Sequence, residues 1–116
     1  MRIALVGLPG SGKSTVGRQL ARKLQLPFID TDPLIERRLG CSIRAFFERE
    51  GEARFRDIEE SVIDEVSVYS DGVISTGGGS VLRPLNRERL HERCQVVYLR
   101  STPEEVHRRV RHDSQR

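Results

Sequence analysis

The chain has 116 residues, 36% of them hydrophobic and 5% aromatic, and its 20 Lys plus Arg against 17 Asp plus Glu give a net charge of +3. That length fits one core but not two, so a single domain over residues 1–116 is expected. The mild basic excess suits a binder of small anions; few aromatics and scattered arginines speak against a nucleic-acid surface, and no apolar run approaches the ~18 residues that would span a membrane.

The N-terminus runs directly into a strand with no signal-peptide pattern, so the cytoplasm, where ATP is available, is the expected location. Cys41 and Cys94 have neither CxxC nor metal-ligand spacing and read as two reduced thiols.

Taken in order, Ile3–Val6 is a first strand and Lys13–Leu24 a first helix, with Val16, Leu20 and Leu24 on one stripe. Between them, Gly7-Leu8-Pro9-Gly10-Ser11-Gly12-Lys13-Ser14 fits G-x-x-x-x-G-K-[ST], in the strand–turn–helix context that gives the pattern its meaning. Such a loop turns successive N–H groups toward phosphate oxygens, with a helix N-terminus behind them. Lys13 can reach the β/γ-phosphates and the Ser14 hydroxyl can ligate Mg²⁺, so the segment predicts nucleoside triphosphate binding. Only Lys13 and Lys23 are lysine among the 20 basic residues, and a compact ammonium suits a phosphate clamp; Lys23, with no evident role, keeps that point suggestive.

Phe28-Ile29 begins a second strand that stops at Asp30-Thr31-Asp32, followed by helical stretches at Pro33–Leu39, Ile43–Arg49 and Glu52–Val68. In the last of these, Ile58, Val62, Val66 and Tyr69 recur at helical spacing and read as core. Val73–Ser75 is a third strand ending in Thr76-Gly77-Gly78-Gly79. A helix around Asn86–Arg93, a fourth strand Val96–Leu99 and a charged helix from Pro103 complete the chain. The alternation predicts an α/β fold with a parallel sheet covered on both faces, and a ligand crevice at the carboxyl ends of its strands. Residues 7–14, 30–32 and 76–79 occupy those ends and should converge on one site.

Asp30 and Asp32, two apart in an extended segment, would point the same way, one toward Mg²⁺ and one toward an acceptor hydroxyl, as phosphoryl transfer requires. The plainer alternative is that Asp32-Pro33 caps the next helix. Gly77 to Gly79 would let backbone approach a ligand, or form an ordinary loop. Arg56, with Glu59 and Glu60 at i+3 and i+4, reads on its own as an intrahelical ion pair.

Together, the phosphate loop, Phe28-Ile29-Asp30-Thr31-Asp32 with Ile35-Glu36, Gly51-Glu52-x-x-Phe55-Arg56 with Glu59-Glu60, Thr76-Gly77-Gly78-Gly79 and the closing Arg116 resemble shikimate kinase along the whole chain. The resemblance implies a three-layer P-loop kinase fold, monomeric, that phosphorylates the 3-hydroxyl of shikimate with MgATP on the way to aromatic amino acids and chorismate. It implies that Gly10, Ser11, Gly12, Lys13, Ser14 and Thr15 cradle the phosphates, that Ser14 and Asp30 hold the metal, and that Asp32 binds the acceptor hydroxyl and takes its proton. By the same resemblance Arg56 grips the substrate carboxylate, Glu59 orients Arg56, Gly77, Gly78 and Gly79 line the substrate side, and Phe47 and Phe55 wall the pocket. Helices at about 33–60 would carry the substrate site and a lid would begin at about 109–116, with Arg109 against adenine and Arg116 reaching the transferring phosphate. Members of the family continue beyond the position of Arg116 through the rest of the lid, a fifth strand and a final helix, so the chain is expected to lack that last strand and helix. A gluconate-type kinase and a nucleotide-binding module without catalysis are the rival readings; the Asp-x-Asp, Phe-Arg and triple-glycine combination argues against the first.

Overall fold

Which face of the sheet each residue meets follows from strand alternation. The protein, as a computed structural model, is described over residues 1–7 and 12–99. Within them, β1 is Arg2–Gly7, α1 Lys13–Leu24, β2 Phe28–Asp30, α2 Thr31–Leu39, α3 Ile43–Glu50, α4 Glu52–Tyr69, β3 Gly72–Ser75, α5 Pro84–Arg93 and β4 Gln95–Leu99, with a 3-10 turn at Ser80–Leu82. The expectations for Gly10 and Ser11, for the helix from Pro103, and for Arg109, Arg116 and the lid concern residues outside that description.

The four strands form a parallel sheet in the order β2-β3-β1-β4. Ile3, Leu5 and Val73 point to one face and pack with Ala21, Val16, Leu20, Leu26 and Phe28, so α1 covers that side. Ala4 and Val6 point to the other, against Ile63 of α4 and Leu90 of α5. Ile74 shares that side with Val62 and Val66 of α4, Ile35 of α2 and Phe46 of α3. This is the expected three-layer α/β/α arrangement. The connection through α1 runs from β1 outward to β2, whereas those through α4 and α5 run the opposite way along the sheet; right-handed crossovers therefore put them on opposite faces. The direction reverses between β1 and β3, which opens a crevice at the carboxyl ends of those two strands.

Three local expectations change. Helix α2 begins at Thr31 rather than Pro33, and its N-cap is Asp30, whose side chain accepts from the Asp32 N–H. Asp32 thus sits in the first helical turn, so the two carboxylates do not share an extended segment. The buried stripe of α1 is Lys13, Gly17 and Ala21, while Leu24 is exposed, because the chain leaves the helix through Gln25 in the left-handed region and Leu26 takes the packing position instead. Tyr69, at the last turn of α4, is 82% exposed rather than core. The carbonyls at that end are met instead by Arg2, whose Nε donates to Ser70 O at 2.9 Å and Nη2 to Val68 O at 2.7 Å.

The join between β2 and β3 depends on Gly72, which has φ 136° and donates to Met1 O while the neighbouring Val73 N–H donates to Pro27 O at 2.9 Å. A Cβ at position 72 would fall inside the contact distance of the Pro27 carbonyl oxygen, which is backbone and held by its hydrogen bond. Gly72→Ala is expected to lower the unfolding free energy by about 1–3 kcal/mol. Gly40→Ala, at φ 71° but with open space around the Cβ, should cost only the left-handed penalty of roughly 1 kcal/mol. Urea unfolding of the two variants checks the ordering, and equal losses would contradict it.

Candidate active site

The carboxyl ends of β1, β2 and β3 open onto a cavity of about 340 Å³ lined by Gly12, Lys13, Ser14, Thr15, Asp30, Asp32, Ser75, Thr76, Gly77 and Gly78. The described residues Gly12 to Ser14 of the phosphate loop meet Asp30, Asp32 and Thr76 to Gly78 here, as expected. Helix α1 enters this cavity through Gly12 in the left-handed region with no side-chain cap; α4 and α5 also lack one, whereas α2 and α3 are capped by Asp30 and Ser42. The positive end of the α1 helix dipole therefore faces this cavity.

Lys13 is buried, and its Nζ donates to Gly7 O at 2.9 Å. Burial pushes the ammonium pKa down, while Asp32 and Asp30 oppose that fall. Ser14 Oγ donates to Asp30 Oδ2 at 3.1 Å. Asp30 thus has two tasks: one oxygen caps α2 and the other holds the Ser14 hydroxyl. Asp32 is pushed up from the ordinary carboxylate range chiefly by burial, then by the like charges of Asp30 and Glu36; Lys13 and Arg56 pull it back.

The acceptor side is built on the first turns of α4. Arg56 Nη1 donates to Glu59 Oε1 at 2.9 Å, and Glu59 is only 1% exposed. Burial raises the Glu59 pKa despite the Arg56 hydrogen bond and charge, which act against it. Arg56 Nε approaches Glu52 Oε1 at 3.5 Å but is buried without a well-aligned hydrogen bond, so this second pair is the weaker. The guanidinium also lies 5.2 Å from the centroid of the Phe55 ring.

The glycine tract makes this closeness possible. A Cβ on Gly77 would stand 3.1 Å from both Asp32 Oδ1 and Glu59 Oε2, and one on Gly79 would collide with the Arg56 guanidinium. Gly77 therefore lies between the two carboxylates, and Gly79 lies under the arginine. The tract is pinned at both ends: Thr76 Oγ1 donates to Leu5 O at 2.8 Å, and Ser80 Oγ donates to Gly77 O at 2.8 Å.

Phe55 is in the hydrophobic core, and Phe47 packs against that core with its ring centroid 5.5 Å from that of Phe55. Neither lines the cavity, and nor do Arg56, Glu59 and Gly79, which stand beside it next to Gly77 and Asp32. Thr76 lines it as the first residue of the expected 76–79 segment, and Ser75 lines it although the motif reading gave it no role; its only sequence signal was its place at the carboxyl end of a strand. Arg83, which donates to Asp57 and Glu60 of α4, also had no sequence signal. Among the described residues no helix is long and apolar enough to cross a membrane.

A family profile described as shikimate kinase matches residues 9–116. The chain is 61% identical to a shikimate kinase of Paracidovorax citrulli over 118 residues, which is 100% of this chain and 64% of that relative. It is 51% identical to the shikimate kinase of Ralstonia nicotianae over 114 residues, 98% of this chain and 60% of the relative. Shikimate kinase from Acinetobacter baumannii, solved in complex with shikimate, superposes with a TM-score of 0.86 at 43% identity, covering 99% of this chain and 64% of that one. The chain thus spans a little under two thirds of the length of the proteins it matches, along almost all of its own residues, and it belongs to the shikimate kinase family.

Proposed function

We propose that this protein transfers the γ-phosphate of ATP to the 3-hydroxyl of shikimate, giving shikimate 3-phosphate and ADP, and that residues 1–116 belong to a single kinase domain acting as a monomer in the cytoplasm. The observation that carries the reading is one cavity lined jointly by the uncapped first turn of α1 and by Asp32 with Gly77 and Gly78, beside the Arg56–Glu59 pair. A donor for phosphates and a carboxylate for an alcohol thus face the same space. The family membership and the shikimate bound to the Acinetobacter baumannii relative support the choice of acceptor.

In this reading the N–H groups around Gly12 to Thr15 and the Lys13 ammonium bind the β/γ-phosphates, and Arg56 pairs with the substrate carboxylate through its planar fork. Asp32, on the wall between them, accepts the proton of the attacking hydroxyl; burial strengthens it as a base. The donor set fits Mg²⁺: the Ser14 hydroxyl and the Asp30 carboxylate meet at 3.1 Å, and this ion customarily takes one or two protein oxygens along with substrate phosphates. When bound, Mg²⁺ neutralises phosphate charge. Phosphoryl transfer is chiefly positioning and charge stabilisation, so these groups have little covalent work to perform.

Three measurements test the assignment, each on the intact gene product with ADP release as the readout. Lys13→Ala should lower kcat by orders of magnitude, and Lys13→Arg should also be poor because a fork cannot occupy a point-charge site; near-normal turnover in the Arg variant would remove Lys13 from the phosphate clamp. Arg56→Lys keeps the charge that Glu59 needs but loses the bidentate grip. It should weaken shikimate binding by about 1–3 kcal/mol and leave ATP binding nearly unchanged. Equal loss of both affinities would point to folding instead.

The third concerns pH. Because the Asp32 pKa lies above the ordinary carboxylate value, activity should fall as pH drops through that raised value, earlier than an exposed aspartate would dictate. The sign for stability is opposite: a raised acid pKa favours the protonated folded state, so the fold gains from this group as pH falls. Activity lost on acidification while the unfolding midpoint holds or rises would agree; parallel loss of both would not.

A further inference from the structure

Arg83 stands at the joint between the 3-10 turn and α5 and faces α4. Its Nη1 donates to Asp57 Oδ1 at 2.8 Å and to Glu60 Oε2 at 2.7 Å, and its Nη2 donates to Ala53 O at 3.4 Å. Ala53, Asp57 and Glu60 fall on one face of α4 and flank Arg56, three residues after the first and four before the last. On its other side, the segment from Gly77 to Asn86 is internally tied. Ser80 Oγ donates to Gly77 O, and the buried Asn86 donates through Nδ2 to Ser80 O at 2.8 Å. The glycine tract and the start of α5 therefore move together, and Arg83 is the bolt that fastens them to the substrate helix at its site end.

We infer that Arg83 is a positioning residue for the acceptor subsite, fixing the gap between Gly79 and the Arg56–Glu59 pair without touching substrate. The inference rests on the proposed shikimate kinase reading and adds to it a residue with no place in the catalytic groups assigned above. The Arg56 guanidinium occupies the space a Cβ on Gly79 would fill, so its place depends on where α4 and the glycine tract stand relative to each other. The same guanidinium also helps hold Glu59 ionised, which keeps the partner of Arg56 charged.

A purely structural role is disfavoured by what anchors α5 elsewhere. Leu90 is buried against Ala4, Val6 and Ile63. At the far end of the helix Arg93 donates to Asp64 Oδ1 at 2.7 Å and to Ser67 Oγ at 3.0 Å. Loss of Arg83 should leave α5 docked and loosen only its site end.

The test is Arg83→Met in the intact protein, which keeps the apolar stem and removes the fork. ADP release is measured against shikimate and against ATP, together with the thermal midpoint. The expected result is a rise in KM for shikimate of about tenfold, with kcat, KM for ATP and the midpoint staying near those of wild type. The paired variant Asp57→Asn with Glu60→Gln, which removes the acceptors instead, should give the same selective rise and serves if Arg83→Met fails to fold. An unchanged KM for shikimate in a folded variant, or equal rises for shikimate and ATP, overturns the positioning role. A fall in kcat that tracks a lower midpoint, with KM unchanged, also overturns it and leaves Arg83 a structural residue. The wild-type protein separates the two readings: absence of shikimate-dependent ADP release there strikes the kinase assignment itself, whereas an active wild type with an indifferent Arg83 strikes only the inference.

Discussion

The pairing of Arg56 with Glu59 is the interaction around which the α4 side of the cavity is arranged. Glu59 is 1% exposed, and a carboxylate there without a cation would be neutral or destabilising. Removing one partner of such a buried pair costs about 3–5 kcal/mol, although the intact pair adds little net stability over an apolar equivalent. Its value lies in geometry: a guanidinium already desolvated and held by a neighbour on its own helix needs little rearrangement to meet a second carboxylate. That arrangement requires room, and the room is supplied by the missing Cβ atoms of Gly77 and Gly79.

The α1 side of the cavity rests on a different device. There the helix starts at Gly12 with no side-chain cap, and Gly12 to Thr15 line the space. Asp30 joins the two sides, capping α2 with one oxygen and holding Ser14 with the other, so the segment that delivers Asp32 is fixed by the same residue that meets the phosphate loop. The reversal in the direction of the crossover connections between β1 and β3 then places both sides of the cavity in one crevice.

Much of this was legible in the sequence because it is local. Strand–loop–helix around residues 7–14, and strands ending in Asp or Gly, are patterns within a few residues of one another, and the α/β alternation fixed the layers. The misreadings arose where a neighbour decides. Leu24 fits the stripe of α1 by spacing, yet Gln25 turns the chain away and Leu26 packs instead. Tyr69 keeps the period of α4 but is exposed at the last residue of the helix, an end where Arg2 covers the carbonyls. The Asp30 cap could not be told from an Asp32 cap by composition, since both precede Pro33. Arg83 is the clearest case: among so many arginines nothing in its own surroundings distinguishes it, and its partners are 23 to 30 residues away.

The charge pattern at the site sets a carboxylate among cations. In the proposed transfer the α1 terminus with Lys13 would meet the phosphates, and Asp32 could serve as the base only if the cations nearby did not hold its pKa too low. Lys13 and Arg56 both pull Asp32 down, but burial together with Asp30 and Glu36 outweighs them, so the carboxylate stays basic between two cations. Glu59 takes up part of the Arg56 charge directly, and Arg83 takes its own charge to Asp57 and Glu60 on the outer side of α4. The acidic residues of α4 thus partition the arginines, so that a positively charged protein keeps the Asp32 pKa raised although Lys13 and Arg56 pull it down.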